Sequence, residues 1–265
     1  MKELCIVGSG NMGKAIASGI LKKGLLKPQE LVITDLRENQ FREFCEKTGI
    51  SGTCDNAAAV RESRTVILAV KPQYLADAVD TFRDQVAKDT LVVSIAAGRT
   101  LAELAALFPA RTRLVRVMPN VAAMVLESMS AVSANEYVTR EELQRVMDMF
   151  NSFGKAEEVP ESMMDAVVGV SGSSPAYVCM LVEAMADAAV MGGMPRAQAY
   201  RFAQQAVLGS AKMLLETGMH PGAMKDMVCS PKGTTIEAVS VLEARGFRGA
   251  VMEAVDACIR RSEAL

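Results

Sequence analysis

The chain has no tryptophan, one histidine and only 5% aromatic residues. A single histidine, His220, leaves little from which to build a His-based triad, a proton relay or a zinc site. The six cysteines (Cys5, Cys45, Cys54, Cys179, Cys229, Cys258) are scattered, with no C-x-x-C pair. They read as reduced thiols of a cytoplasmic protein. The net charge of −2 offers no basic footprint for nucleic acid. The apolar run Leu4 to Val7 is too short for a signal peptide and runs straight into glycine. No window of about 20 residues is both apolar and free of charge, so no membrane span is expected. The nearest candidate, Ala176 to Met194, contains Glu183 and Asp187 and reads instead as a buried interface helix. These absences leave a soluble globular protein of one or two domains whose hard chemistry is carried by a cofactor.

What is present divides near residue 159. The first half alternates short β-branched runs with helical stretches. CIVGSG is a strand entering a glycine turn, followed by a helix from Asn11 to Lys22. Leu31 to Thr34 is a second strand, followed by a helical stretch from Glu38 to Lys47. Thr65 to Pro72 and Leu91 to Gly98 are continuous apolar runs, as in parallel strands buried on both faces. Leu114 to Val117 is a further strand. Thr139 and Glu142 have capping-box spacing and open a helix to about Phe150. The fold class is therefore α/β: an N-terminal doubly wound, mainly parallel Rossmann domain over 1–159. Residues 160–265 form an all-α second domain, with helices at Pro175 to Met191, Pro195 to Leu215, Thr234 to Ala244 and Phe247 to Arg261. That half is rich in alanine and methionine. Its apolar surface exceeds what so small a helical domain buries by itself, which predicts an obligate dimer.

Gly8, Gly10 and Gly13 match G-x-G-x-x-G directly after a strand and at the start of a helix. There glycines allow the tight turn, the approach of backbone to pyrophosphate, and helix–sheet packing. Asp35 ends the second strand. A carboxylate there accepts from both hydroxyls of an adenosine ribose and repels a 2′-phosphate, which leans towards NADH. Arg37 could instead pair a 2′-phosphate. The segments Ala69 to Pro72 and Ala96 to Gly98 fall on the carboxyl edge of the sheet, where ligands of open α/β sheets bind. Lys71 there is either a ribose or phosphate contact or a plain surface charge. Asn120 either meets the nicotinamide region or caps the next segment.

In the second half, GVSGSSPAYV (Gly169 to Val178) brings Ser171, Ser173 and Ser174 with glycines to a helix start. It lacks a G-x-S-x-G elbow, so it reads as a close crossing of backbone and not as a nucleophile site. The loop DMVCSPKGTTIEAV (Asp226 to Val239) opens a helix with two threonines, and Thr234 and Glu237 have capping-box spacing. Unpaired N–H groups and a positive dipole at such a helix start suit a small carboxylate.

GSGNMG, AVKP, VVSIAAG, RVMPN, GVSGSSPAYV and HPGAMKDMVCSPKGTTIEAV, in this order and over essentially the whole chain, resemble the pyrroline-5-carboxylate reductase family. The resemblance implies NADPH- or NADH-dependent reduction of L-1-pyrroline-5-carboxylate to L-proline, the last step of proline synthesis. It implies a helical dimerisation domain, and rings of dimers, often decamers. Cofactor contacts are then expected from Gly8, Ser9, Gly10, Asn11, Met12, Gly13, Asp35, Asn56, Ala69, Val70, Lys71, Pro72, Ala96, Ala97 and Asn120. The family places the substrate carboxylate at Ser230, Gly233 and Thr234, the ring nitrogen at the Thr235 hydroxyl, and an acidic residue, Glu161, nearby. Thr235 is the catalytic candidate, and no strong general acid and no metal are expected.

Two departures stand out. Lys232 replaces the first glycine of the usual SPGGTT, and Val121-Ala122 replaces the usual Thr-Pro after MPN. If the usual glycine has positive φ, Lys232 strains the turn; if not, its ammonium adds attraction for the carboxylate. Two other readings compete with this one. A β-hydroxyacid dehydrogenase would need a lysine shortly after Gly169 and Gly172, and none is there. A non-catalytic nucleotide-sensing module would suit a substrate loop altered at Lys232.

Overall fold

The computed structural model describes residues 1–264. Its backbone divides into two compact units, one of Met1–Gly172 with the residues from Ile259 on, the other of Ser173–Cys258.

In the first unit the chain runs β1 (Lys2–Val7), α1 (Asn11–Lys23), β2 (Leu31–Thr34), α2 (Arg42–Thr48), β3 (Ser51–Thr53), α3 (Asn56–Arg61), β4 (Ser63–Leu68) and α4 (Leu75–Asp80). It continues through β5 (Leu91–Ser94), α5 (Leu101–Ala106), β6 (Arg113–Met118), β7 (Ser128–Ala134), α6 (Arg140–Asn151), β8 (Gly154–Glu158) and α7 (Met164–Val167). The strands form one sheet in the order β3-β2-β1-β4-β5-β6-β7-β8. All neighbours are parallel except β6 and β7. The doubly wound, mainly parallel sheet expected from the sequence is therefore present.

Strand periodicity explains the two-faced core. Leu4 and Ile6 of β1 join one apolar cluster with Ile16, Ile20, Phe150 and Phe153. Cys5 and Val7 join the other with Val60, Leu68, Phe82 and Phe108. Burial pushes the Cys5 thiol up to about 12, so it behaves as an inert apolar side chain.

The strands β3, β7 and β8 were not expected. The last two carry serine, glycine and charge (SMSAVSA and GKAEE), so they lack the apolar signal of central strands. Sheet pairing selects their conformation: β7 lies antiparallel to β6, and β8 lies parallel to β7. The apolar runs read from Thr65 to Pro72 and Leu91 to Gly98 are shorter as strands. They stop at Leu68 and Ser94, and the rest forms loops at the carboxyl edge.

The second unit holds α8 (Ser174–Met191), α9 (Arg196–Thr217), α10 (Pro221–Val228), α11 (Thr234–Ala244) and most of α12 (Phe247–Glu263). The helix α10 was read as loop. It opens on Pro221 and is capped by His220, whose Nδ1 accepts from Gly222 N–H at 3.1 Å. Inside the unit, Val182 and Ala186 of α8 and Ala199 and Ala203 of α9 are buried. Each pair is spaced four apart, one stripe per helix. Large apolar side chains elsewhere in the unit stay exposed, among them Met180, Phe202, Leu208, Val241 and Met252.

Residues Val168–Gly172 form a π-helical turn where a loop was expected. This turn joins α7 to α8, so Glu161–Met191 is helical throughout. By length and composition that run is apolar enough to cross a membrane, and it overlaps the stretch Ala176 to Met194 singled out in the sequence. A Cβ on Gly172 would lie 3.0 Å from Met118 Cε, the end of a side chain and not a crossing backbone.

Candidate functional site: a dinucleotide cradle and a carboxylate turn

The cradle lies where the sheet order reverses between β1 and β4, the crevice in which open α/β sheets bind ligands. Gly8 N–H donates to Thr34 O at 2.9 Å, and Ala69 N–H donates to Val7 O at 2.8 Å. The loops after β1, β2 and β4 are thereby drawn together. Gly8 has φ +106, and a Cβ there would lie 2.5 Å from Ala69 O. A Cβ on Gly13 would overlap Gly8 O, whereas one on Gly10 would meet nothing within 4 Å. The first and third glycines are thus fixed by packing. Gly10, N-cap of α1 with no side-chain cap, leaves open backbone at the helix start.

Gly8, Gly10, Asp35, Asn56, Ala69, Val70 and Lys71 line one cavity of about 590 Å³. The loop thus offers glycine backbone and an uncapped helix start for a pyrophosphate, and the residues present fit a dinucleotide. Ser9 is buried and reaches Asp35 Oδ2 through both its N–H (3.1 Å) and its hydroxyl (2.8 Å). Asn56 is held on both sides: Thr34 Oγ1 donates to its Oδ1 at 2.6 Å, and its Nδ2 donates to Thr81 Oγ1 at 3.0 Å. Asn11 and Met12 begin α1, Pro72 begins a single 3-10 turn, and Ala96 and Ala97 lie in the loop after β5.

Asn120 caps the next segment. Its Oδ1 accepts from Ala122 N–H at 3.2 Å, and its Nδ2 donates to Ser171 O at 3.0 Å. Val121-Ala122 is absorbed in this capped 3-10 turn, Val121–Val125. Leu36 and Tyr74, 81% and 58% exposed, also line the cavity and were not singled out from the sequence. Their signal is an apolar side chain left in water just after a strand end, a flank suited to a flat base.

Glu161 is engaged within the first unit. Its Oε1 accepts from Leu101 N–H at 2.7 Å and pairs with the buried Arg116 Nη1 at 3.0 Å. The serines of GVSGSS make structural bonds. Ser171 Oγ donates to Val167 O at 3.2 Å, and Ser173 Oγ accepts from the Cys258 thiol at 3.1 Å.

In the second unit, Ser230 to Gly233 make a tight turn. Gly233 N–H donates to Ser230 O at 3.0 Å, with Pro231 and Lys232 between them. Lys232 has φ +57, the backbone expected if the usual glycine is conformationally required. Proline followed by a residue of positive φ is the signature of a type II turn, whose second central position favours glycine. A Cβ on Gly233 would overlap Ser230 Oγ and displace that hydroxyl from its present position.

The turn also corrects the capping box. Gly233, with φ −80 and ψ 166, is the N-cap of α11, and no side chain caps it. Thr234 is already helical, so it cannot act as N-cap for the expected Thr234–Glu237 box. By contrast, α5 and α6 carry complete boxes, Thr100 with Glu103 and Thr139 with Glu142. At α11 the Thr234 and Thr235 N–H groups have no acceptor among the described residues, and Ser230 Oγ has no partner among them. Gly233 N–H is used inside the turn.

A family model described as pyrroline-5-carboxylate reductase dimerisation matches residues 161–265. A second, described as NADP oxidoreductase coenzyme F420-dependent, matches residues 3–98. The pyrroline-5-carboxylate reductase of Escherichia coli is 48% identical over 264 residues, covering 100% of this chain and 98% of that protein. That of Methanosarcina acetivorans is 45% identical, with the same coverage. Among solved structures, a pyrroline-5-carboxylate reductase from Coxiella burnetii has a TM-score of 0.94 at 30% identity, covering 99% of this chain and 98% of that one. The Plasmodium falciparum pyrroline carboxylate reductase, solved with NADP bound, has a TM-score of 0.88 at 28% identity, covering 99% and 97%. The chain belongs to the pyrroline-5-carboxylate reductase family, and its helical half corresponds to that family's dimerisation domain.

Proposed function

We propose that the protein reduces L-1-pyrroline-5-carboxylate to L-proline with NADH or NADPH, the final step of proline biosynthesis. The observation that carries this reading is likeness to proteins of that name along the full chain, not over the dinucleotide fold alone. The nicotinamide cofactor supplies the hydride. The chain's residues bind and orient. In this reading the glycine loop and Lys71 receive the dinucleotide phosphates, with Asn11, Met12, Ala69 to Pro72, Ala96 and Ala97 as backbone and packing contacts. Asn56 and Asn120 are contacts whose side chains are already oriented by the bonds above.

The substrate carboxylate is assigned to the turn that opens α11. Thr234 and Thr235 supply free N–H groups, Ser230 supplies a hydroxyl, and Gly233 keeps the approach clear. The Thr235 hydroxyl positions the ring nitrogen. The cation of a cyclic imine is the better hydride acceptor, and its proton comes from water or with the substrate, so orientation is the protein's main contribution. Glu161 is retained as the acidic residue near the substrate, oriented by Arg116. Residues 1–159 act as the dinucleotide domain and 160–265 as the substrate and dimerisation domain. The protein works in the cytoplasm as a dimer that can build larger rings such as a decamer, and it binds neither nucleic acid nor membrane.

The test is oxidation of NADH and of NADPH on adding pyrroline-5-carboxylate, with a 2-hydroxy acid as control in the reverse direction. Turnover with the imino acid alone is expected. Turnover with the hydroxy acid alone, or with neither, rejects the assignment.

A further inference from the structure

We infer that Ser9 and Asp35 together make the adenosine end of the cavity select NADH over NADPH. The inference rests on the dinucleotide half of the proposed function and not on the identity of the imino acid. Asp35 stands just past β2, and its carboxylate lines the cavity. Oδ2 receives both the N–H and the hydroxyl of Ser9, at 3.1 and 2.8 Å. Ser9 is 1% exposed, so its hydroxyl has no water to turn to if the carboxylate leaves. Asp35 is therefore anchored by the phosphate-binding loop itself. Its Oδ1 has only a long contact, 3.4 Å from Arg37 N–H, and remains the acceptor for ribose hydroxyls.

A carboxylate so placed accepts from both hydroxyls of the adenosine ribose. A 2′-phosphate replaces one of those donors with a dianionic acceptor, beside a fixed negative charge that cannot swing aside. Arg37 and Lys71 line the same cavity without ion-pair partners among the described residues, and they oppose this discrimination. Both are exposed, on long flexible stems, so solvent and salt screen their attraction. They can also serve the pyrophosphate, which the two cofactors share. The half-buried, doubly bonded carboxylate is screened less and decides the preference.

The test is calorimetric titration of the intact protein with NADH and with NADPH, without imino acid, at 0.15 M salt. NADH is expected to bind about tenfold more tightly, the size of a modest like-charge penalty. Asp35→Ser should abolish or invert the ratio, chiefly by tightening NADPH. Ser9→Ala should narrow the ratio by weakening NADH, with thermal stability nearly unchanged. Equal or tighter binding of NADPH by the unaltered protein overturns the inference, as does a ratio indifferent to Asp35→Ser. A ratio indifferent to Ser9→Ala overturns the part given to Ser9. Failure to bind either cofactor sinks the dinucleotide reading itself. Tight NADH binding without imino-acid turnover leaves the inference standing and rejects only the substrate.

Discussion

The two units solve the burial problem in opposite ways. In the sheet unit, Leu4, Ile6, Ile16, Ile20, Phe150 and Phe153 are entirely buried, and Phe153 seats against Gly19, where even a Cβ would lie 2.6 Å from it. In the helical unit the buried apolar side chains are Val182, Ala186, Ala199 and Ala203. Met180, Phe202, Leu208 and Met252 remain 69%, 61%, 56% and 66% exposed. A parallel sheet covered by helices on both faces closes its own core. Helices rich in small residues, with apolar side chains turned to solvent, form half of a core. The contrast gives the dimerisation match its physical meaning: a second chain supplies the missing layer.

The sharpest way to break this contrast is at Phe153. Phe153→Ala should destabilise the sheet unit by about 3–5 kcal/mol in chemical denaturation, because neighbours so tightly packed cannot collapse into the void. A loss below about 1 kcal/mol would mean that this core is not self-sufficient. Next in size is the dependence on protein concentration. If the helical unit is completed by its partner, a hundredfold dilution should lower the stability of the assembly by about 2.7 kcal/mol, read as a falling melting temperature. A melting temperature unchanged over that range would remove the dimer from the explanation.

The third prediction concerns function. Thr235→Ala should lower kcat/KM by the equivalent of about 1–3 kcal/mol while leaving cofactor affinity alone. Unchanged kinetics would reject the role assigned to that hydroxyl. The smallest effect is expected at Lys232. Lys232→Gly should stabilise the protein by about 0.5–1 kcal/mol, since glycine accepts φ +57 without the Cβ penalty but is more flexible when unfolded. Destabilisation in urea would show that the lysine side chain compensates for its backbone. A lower imino-acid KM in the same variant would show that the ammonium does not help bind the carboxylate.

Much of the fold was readable because its signals are local. G-x-G-x-x-G after an apolar run, the Thr139–Glu142 box and the switch to alanine-rich helices each depend on neighbours in sequence. The strands β7 and β8, at one end of the sheet, are not readable in the sequence, because their serines and charges acquire strand geometry only by pairing. The box at Thr234–Glu237 was read where there is none. Its spacing matches, but the turn fixed by Pro231, Lys232 and Gly233 delivers the chain one residue early, which makes Gly233 the cap. The sequence leaves Asn120 between two roles; its bonds to Ala122 and Ser171 establish the capping role and leave the cofactor contact to the proposal.

By itself the sequence determined the kind of chemistry. One histidine and no cysteine cluster exclude much, and the short-range spacing of the glycine loop and threonine turn points to the two anion sites proposed above. Only the tertiary structure decided how those sites are tuned. Ser9 and Asp35 lie on different strand ends, and only the parallel pairing of β1 with β2 brings a buried hydroxyl onto a carboxylate. The strain at Lys232 is likewise a matter of backbone angle, which a residue name cannot specify. Hydrogen bonds and φ angles depend on where the chain returns in space, and that is settled by sheet pairing and turn closure, not by sequence spacing.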